Sequence, residues 1–278
     1  MYCYRHPDRE TGLSCSECGR PICVDCMTAA PVGIRCPEHS GKPRGAAKVT
    51  QQVRRTAGEG TGAIVTRTLV AINVAVYLLQ LGEGAGLNAN SGWIFEKGAL
   101  YGPLVGNGDW WRLITAAFLH YGPIHLGLNM LALWWFGEVV ERSLGRGRFL
   151  LLYLVSGLSC SAGALLADPT AVTVGASGAV FGMLGALLIL EWQATGSFTG
   201  QAMTLIALNL VFSFAVSGIS WGGHIGGLVG GILGTLALAR FGRGHAAYGR
   251  LGLLGTASLV AIGVASIAIA YWKVRGYA

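Results

Sequence analysis

Apolar residues run along this chain in long uncharged blocks, without the alternation or half-faces of a water-soluble core. Seven blocks stand out, at about 66–82, 122–140, 148–167, 171–190, 202–218, 221–240 and 251–272. Several approach the roughly 20 residues a helix needs to cross the hydrocarbon layer. The pattern predicts an all-α polytopic membrane protein with seven spans. The stretch 83–121 is too polar and too rich in Gly and Asn to span. Within it, "DWWRLITAAFLH" is amphipathic and carries two tryptophans, which predicts an interfacial helix in the headgroup layer. Ahead of the first block lie a polar, cysteine-rich segment (1–40) and a Gly/Ala linker (41–65). Spans one to six fall within 66–240, and 241–278 hold the seventh span and a tail.

Composition agrees, with 53% apolar and 12% charged residues, about half the charged share of an average soluble protein. The bases that remain report orientation. Lys42, Arg44, Lys48, Arg54 and Arg55 precede span one; Arg142, Arg146 and Arg148 lie between spans two and three; Arg240, Arg243 and Arg250 follow span six. If spans alternate, all three groups share one face, which is then cytoplasmic. Lys273 and Arg275 fall opposite and count weakly against this. The expected location is a plasma (inner) membrane of bacterial type, with a cytoplasmic N-terminus. The opening "MYCYRHPDRE" has no apolar run, so no cleaved signal peptide is expected.

Six of the seven cysteines precede residue 40, and Cys160 stands alone. With two histidines they form the pairs Cys3/His6, Cys15/Cys18, Cys23/Cys26 and Cys36/His39, each with a two-residue gap. That gap turns two soft donors onto one tetrahedral ion, so eight donors make two complete sites. A segment this short needs such a staple to fold. Two structural Zn2+ are therefore expected, with no open coordination position for a substrate and no cofactor for catalysis. The segment is a folded knob or a docking module for a cytoplasmic partner. Nucleic acid is not expected, because its four arginines face five acids.

Polar side chains inside spans are costly and mark function. Here they are His125 and Asn129 in span two, Ser177 in span four, Asn209 in span five and His224 in span six. If span four begins near Ala171, Ser177 lies about 10 Å along it. His224 is a turn into span six, and His125 and Asn129 share a face after the helix-starting Gly122-Pro123. All but Asn209, set aside as a helix–helix bond, then gather in the outer half of the bilayer. A serine hydroxyl becomes a nucleophile when a histidine takes its proton. The resulting oxyanion needs donors, and His125, Asn129 and the Ser177 N–H are candidates. No carboxylate lies at this depth, so a dyad is expected.

These residues resemble the rhomboid family of intramembrane serine proteases. The matching motifs are "GASG" at 175–178, "HYGPIHLGLN" at 120–129, "WR" at 111–112 and "GHIGGLVGG" around His224. The resemblance implies a six-helix core around a water-filled cavity, with the seventh helix added. Ser177 would be the nucleophile and His224 the general base and acid. His125 and Asn129 would stabilise the oxyanion. Trp111 and Arg112 would place a loop, and His120 would be structural. Gly175 and Gly178 belong to the serine motif; Gly227 and Gly231 would let span six approach span four. Many members carry a tyrosine one turn after the serine, where this chain has Phe181. The N-terminal spacing resembles B-box cross-brace fingers, which implies Cys3, His6, Cys23 and Cys26 on one ion and Cys15, Cys18, Cys36 and His39 on the other; sequential pairing is the alternative. The implied activity is endopeptidase cleavage of transmembrane segments of membrane proteins near the outer leaflet through an acyl-enzyme. Two alternatives are a catalytically inactive relative that binds transmembrane helices, and a transporter. A transporter predicts an inverted repeat or broken midplane helices, and neither is evident.

Overall fold

The structure is a computed structural model that describes residues 1–29, 33–39, 62–84, 86–241 and 252–277. Most of the basic linker, and the loop carrying Arg243 and Arg250, lie outside the described residues. The chain divides into two compact units, Met1–Gln52 and Val53–Ala278.

In the first unit three of the four two-residue gaps close a turn: the N–H of His6 donates to Cys3 O, Cys26 to Cys23 O and His39 to Cys36 O, at 2.9–3.1 Å, and at the fourth pair the N–H of Gly19 donates to Cys15 O at 2.8 Å. These turns point the donor side chains inward, where five cysteines pack with Ile22 and with the flanks of Tyr4 and Leu13. A two-residue ribbon, β1 (Thr28–Ala29) against β2 (Ile34–Arg35), is antiparallel.

The second unit is helical: α1 (Ile64–Gly82), α2 (Trp93–Gly98), α3 (Gly102–Gly106), α4 (Arg112–Thr115), α5 (Gly122–Leu144), α6 (Arg146–Ala167), α7 (Ser177–Thr195), α8 (Gln201–Ala215), α9 (Trp221–Phe241) and α10 (Leu253–Val274). Among the described residues five of these (α1, α6, α7, α9, α10) are long and apolar enough to cross a membrane, and α8 is a shorter apolar helix. The 23-residue α5 carries His125 and Asn129. Every expected span is therefore a helix, with shifted ends. The core joins Leu133 and Val140 of α5, Phe149, Leu152 and Tyr153 of α6, Val180 and Met183 of α7, and Leu259 of α10.

Two expectations change. The fourth helix begins at Ser177, six residues later than hydropathy suggested. Residues before it are extended: Thr173 exchanges backbone hydrogen bonds with Leu100 at 3.0 and 3.1 Å, and Gly175 has φ +121°, a conformation open to glycine alone. The piece 109–120 is likewise no single amphipathic helix, being one α turn, a 3-10 turn at Ala116–Phe118 and extended backbone. Buried backbone groups there are held by side chains. Arg112, 2% exposed, donates to the carbonyls of Glu96 (2.7 Å) and Ala99 (2.8 Å) and pairs with Asp109 (2.9 Å). Trp111 Nε1 donates to Lys97 O at 2.9 Å. Both residues thus fasten α4 to α2.

α9 lies between α6 and α7 and meets both through glycine. A Cβ on Gly222 or Gly226 would strike the backbone of Gly163 or Ser159 in α6, and one on Gly227 or Gly231 would strike the carbonyls of Gly178 or Gly182 in α7. Small residues take this role because apolar burial gives no advantage among lipid tails, so helices associate by close contact. The seventh helix packs on α6 and α9; its Ala270 and Val274 join Leu100, Val105 and Leu113 under the α2–α4 segment.

Candidate active site

Ser177, His125 and His224 all fall in the first turn of their helices, α7, α5 and α9, and Ser213 in the last turn of α8. The four side chains converge on one cavity of about 500 Å3, shared with Asn129, Phe181, Leu128, Phe136, Leu184 and Phe212.

Ser177 Oγ and His224 Nε2 are 2.8 Å apart. The imidazole is clamped from two sides: the Phe181 ring stacks on it at 4.2 Å and 18°, and its Nδ1 lies 2.6 Å from Ser213 Oγ. The late start of α7 matters chemically. In mid-helix, the Ser177 N–H would bond the fourth carbonyl back. At the first helical position it lacks an intrahelical partner and sits at the positive end of the helix dipole. Asp168 orders the loop that follows α6. Its Oδ1 accepts from the Thr170 hydroxyl (2.7 Å) and N–H (2.9 Å) and from Ala171 N–H (3.2 Å). The Thr170 contacts hold the carboxyl below its ordinary range.

The His125 ring is oriented by a backbone N–H. The Tyr121 N–H points at His125 Nδ1, 3.2 Å away. A backbone N–H can only donate, so Nδ1 accepts and the proton resides on Nε2. That Nε2 faces Gly175, where a Cβ would come within 2.8 Å of it. The glycine of the serine motif therefore makes room for His125. Asn129 uses one amide hydrogen on His125 O (2.9 Å), leaving its second. His120 is buried away from the cavity lining. Its N–H donates to Gln80 Oε1 at 3.3 Å and its Nε2 lies 3.5 Å from the Ala176 N–H. Asn209 lines the cavity and donates to Leu205 O of its own helix at 2.8 Å, where a bond to a neighbouring helix was expected. Ser213 lies outside the motifs that the sequence presents. The signal was there in part: Asn209 and Ser213 are four apart, so two polar groups share one face of an apolar helix.

In the N-terminal unit the ligating atoms fall into two groups, Cys3/His6/Cys23/Cys26 and Cys15/Cys18/Cys36/His39, the members of each within 4.8 Å of one another. The grouping is crosswise. Four donors about 2.3 Å from a central ion stand about 3.8 Å apart at the corners of a tetrahedron. The measured separations are 3.4 Å (Cys23 and Cys26 to His6), 3.8 Å (Cys3 to His6) and 3.7 Å (Cys18 to Cys36), with Cys36 to His39 tighter at 3.1 Å. The donor set and its spacing fit a tetrahedral ion in each group.

The fold and site define a polytopic α-helical membrane protein with a serine–histidine pair in a cavity walled by its helices. The rhomboid domain family matches residues 107–241. The chain is 40% identical over 203 residues to the rhomboid protease GluP of Bacillus subtilis (72% of this chain, 39% of that protein). It is 41% identical over 135 residues to the putative rhomboid protease YdcA of the same organism (46% and 67%). It is 31% identical over 206 residues to the rhomboid protease AarA of Providencia stuartii (63% and 73%). The chain belongs to the rhomboid family. It spans about two fifths of the length of GluP, two thirds of YdcA and three quarters of AarA.

Proposed function

We propose that this protein is an intramembrane serine endopeptidase that cleaves transmembrane segments of other membrane proteins. The observation that carries the reading is the 2.8 Å contact from Ser177 Oγ to His224 Nε2 at the N-terminus of α7, inside a cavity walled by helices. His224 takes the Ser177 proton as Oγ attacks the scissile carbonyl, and the oxyanion forms beside the Ser177 N–H and His125 Nε2–H. Asn129 supplies a further donor through its second amide hydrogen. The imidazolium then protonates the leaving amine, giving an acyl-enzyme. Water admitted to the cavity, deprotonated by His224, releases the acid and restores Ser177. Phe181 holds the imidazole plane without supplying a proton. Substrates are single-span proteins whose helix unwinds readily at one end, because backbone must be extended to reach Oγ.

The charge pattern supports a cytoplasmic N-terminus and a site opening to the outside of a plasma (inner) membrane. The finger holds two structural zinc ions, Cys3, His6, Cys23 and Cys26 on one and Cys15, Cys18, Cys36 and His39 on the other. Each ion stabilises its knuckles, and all four positions are filled by protein. The finger suits a cytoplasmic protein partner.

A fluorophosphonate probe should label the wild type and spare Ser177→Ala. If the wild type is neither labelled nor able to cut any transmembrane test substrate while remaining folded, the protein instead binds transmembrane helices without cutting them.

A further inference from the structure

We infer that Ser213 is a positioning residue that sets the tautomer of His224, occupying the third place behind the serine and the base. The inference rests on the protease reading of Ser177 and His224 and adds a function for α8.

The assignment follows from counting protons. Ser213 Oγ is 2% exposed and has two close polar neighbours, Asn209 O at 2.6 Å and His224 Nδ1 at 2.6 Å. A hydroxyl carries one proton. If that proton pointed to Nδ1, Ser213 Oγ and the Asn209 carbonyl would face each other lone pair to lone pair at 2.6 Å, a repulsive contact. Placed toward Asn209 O, which can only accept, it makes a short hydrogen bond and leaves an Oγ lone pair for an Nδ1–H. His224 then carries its proton on Nδ1, and Nε2 is free to accept the Ser177 proton. The opposite tautomer would present Nε2–H to Ser177 and could not act as base. Carboxylates hold this position in serine protease triads. Here a neutral hydroxyl fixed by its own helix does the orienting, and no charge has to be buried in the membrane.

The neighbouring histidine sharpens the point. His125 is held as the Nε2–H form by the Tyr121 N–H and acts as donor, whereas His224 is held as the Nδ1–H form and acts as base. Two imidazoles lining one cavity are fixed in opposite tautomers by two different neighbours.

Two measurements on the full chain in detergent test this. In the first, ring-15N-histidine NMR, with the His224 signals identified by their loss in His224→Asn, reads which nitrogen bears the proton. The wild type should show Nδ1 protonated, and Ser213→Ala should move the population toward Nε2–H. An Nε2–H form in the wild type, or no change in Ser213→Ala, overturns the inference whether or not Ser177 is reactive. In the second, Ser213→Ala should lower kcat for a transmembrane substrate roughly three- to tenfold at unchanged KM, the loss of about one net hydrogen bond. Ser213→Thr should recover most of it, because a threonine hydroxyl in a helix also bonds the carbonyl four residues back. Ser213→Thr as slow as Ser213→Ala overturns the inference, since packing alone would then explain the loss. Failure of the protease reading looks different: the wild type would react with the probe no faster than Ser177→Ala, and the NMR result would still decide the tautomer.

Discussion

At the residue scale the site depends on small groups that hold larger ones still. Ser177 and His224 were legible in the sequence because a polar group in an apolar span is rare and costly. Ser213 was not, because a helix serine ordinarily bonds its own backbone, and only the fold brings it to His224. Gly175 was legible as a motif position, with a different use. Its φ of +121° is closed to other residues and a Cβ would lie 2.8 Å from His125 Cε1 and Nε2. Gly175→Ala therefore combines backbone strain of about 1–3 kcal/mol with displacement of His125, the proposed oxyanion donor. The expected outcome is at least a tenfold loss of probe reactivity at Ser177, with helical circular dichroism unchanged. Wild-type reactivity in that variant would show that His125 need not stand where it does.

At the element scale the seven hydropathy blocks all became helices, because a span has no other way to satisfy its backbone. Their ends were less legible. The start of α7 is set by the Thr173–Leu100 pairing and by the turn at Gly175, contacts across 73 residues that hydropathy does not register. Two acids that cap helices distant in sequence are a second example. Glu141 of α5 reaches the N-terminus of α1, accepting from the N–H groups of Val65 (3.0 Å) and Thr66 (2.7 Å) and from the Thr66 hydroxyl (2.7 Å). Glu191 of α7 does the same for α8 through Gln201 and Ala202 at 3.0 Å. Such capping carboxylates are favourable at the positive end of a helix dipole, but the helix each one caps is not adjacent in an apolar pattern. Glycine packing gives a sharp comparison between positions. Gly231 faces the backbone of Gly182, whereas a Cβ on Gly157 in α6 meets nothing within 4 Å. Gly231→Ala must push α9 from α7 and should lower thermal stability by roughly 1–3 kcal/mol, with loss of Ser177 reactivity as His224 retreats. Gly157→Ala should be neutral or stabilising by up to about 1 kcal/mol. Equal melting temperatures for the two variants would contradict the close packing of α9.

At the scale of the whole molecule, two units close their cores separately, one around apolar helices and the other around cysteines. In composition the cysteines crowd before residue 40 and the apolar blocks begin after 65, on either side of the unit boundary at Gln52 and Val53. Composition did not announce the use of α10, which supports the α2–α4 segment from below through Ala270 and Val274, while Trp110 and Tyr271 pack ring to ring at 5.3 Å. Separate cores predict separable stabilities. A segment of about 40 residues whose interior is thiols and one isoleucine would not remain folded without the two ions proposed for it, whereas the helical unit has no ligand in that set. Metal analysis of the purified chain should find two zinc ions, one per donor group. Chelation should unfold the finger, made visible by rapid proteolysis within residues 1–40, and leave probe labelling of Ser177 unchanged. Deleting residues 1–40 should abolish zinc binding and preserve cleavage in detergent. If that deletion stopped cleavage while the helices kept their circular dichroism and melting temperature, the finger would be a working part of the protease, and its role as an independent docking module would have to be given up.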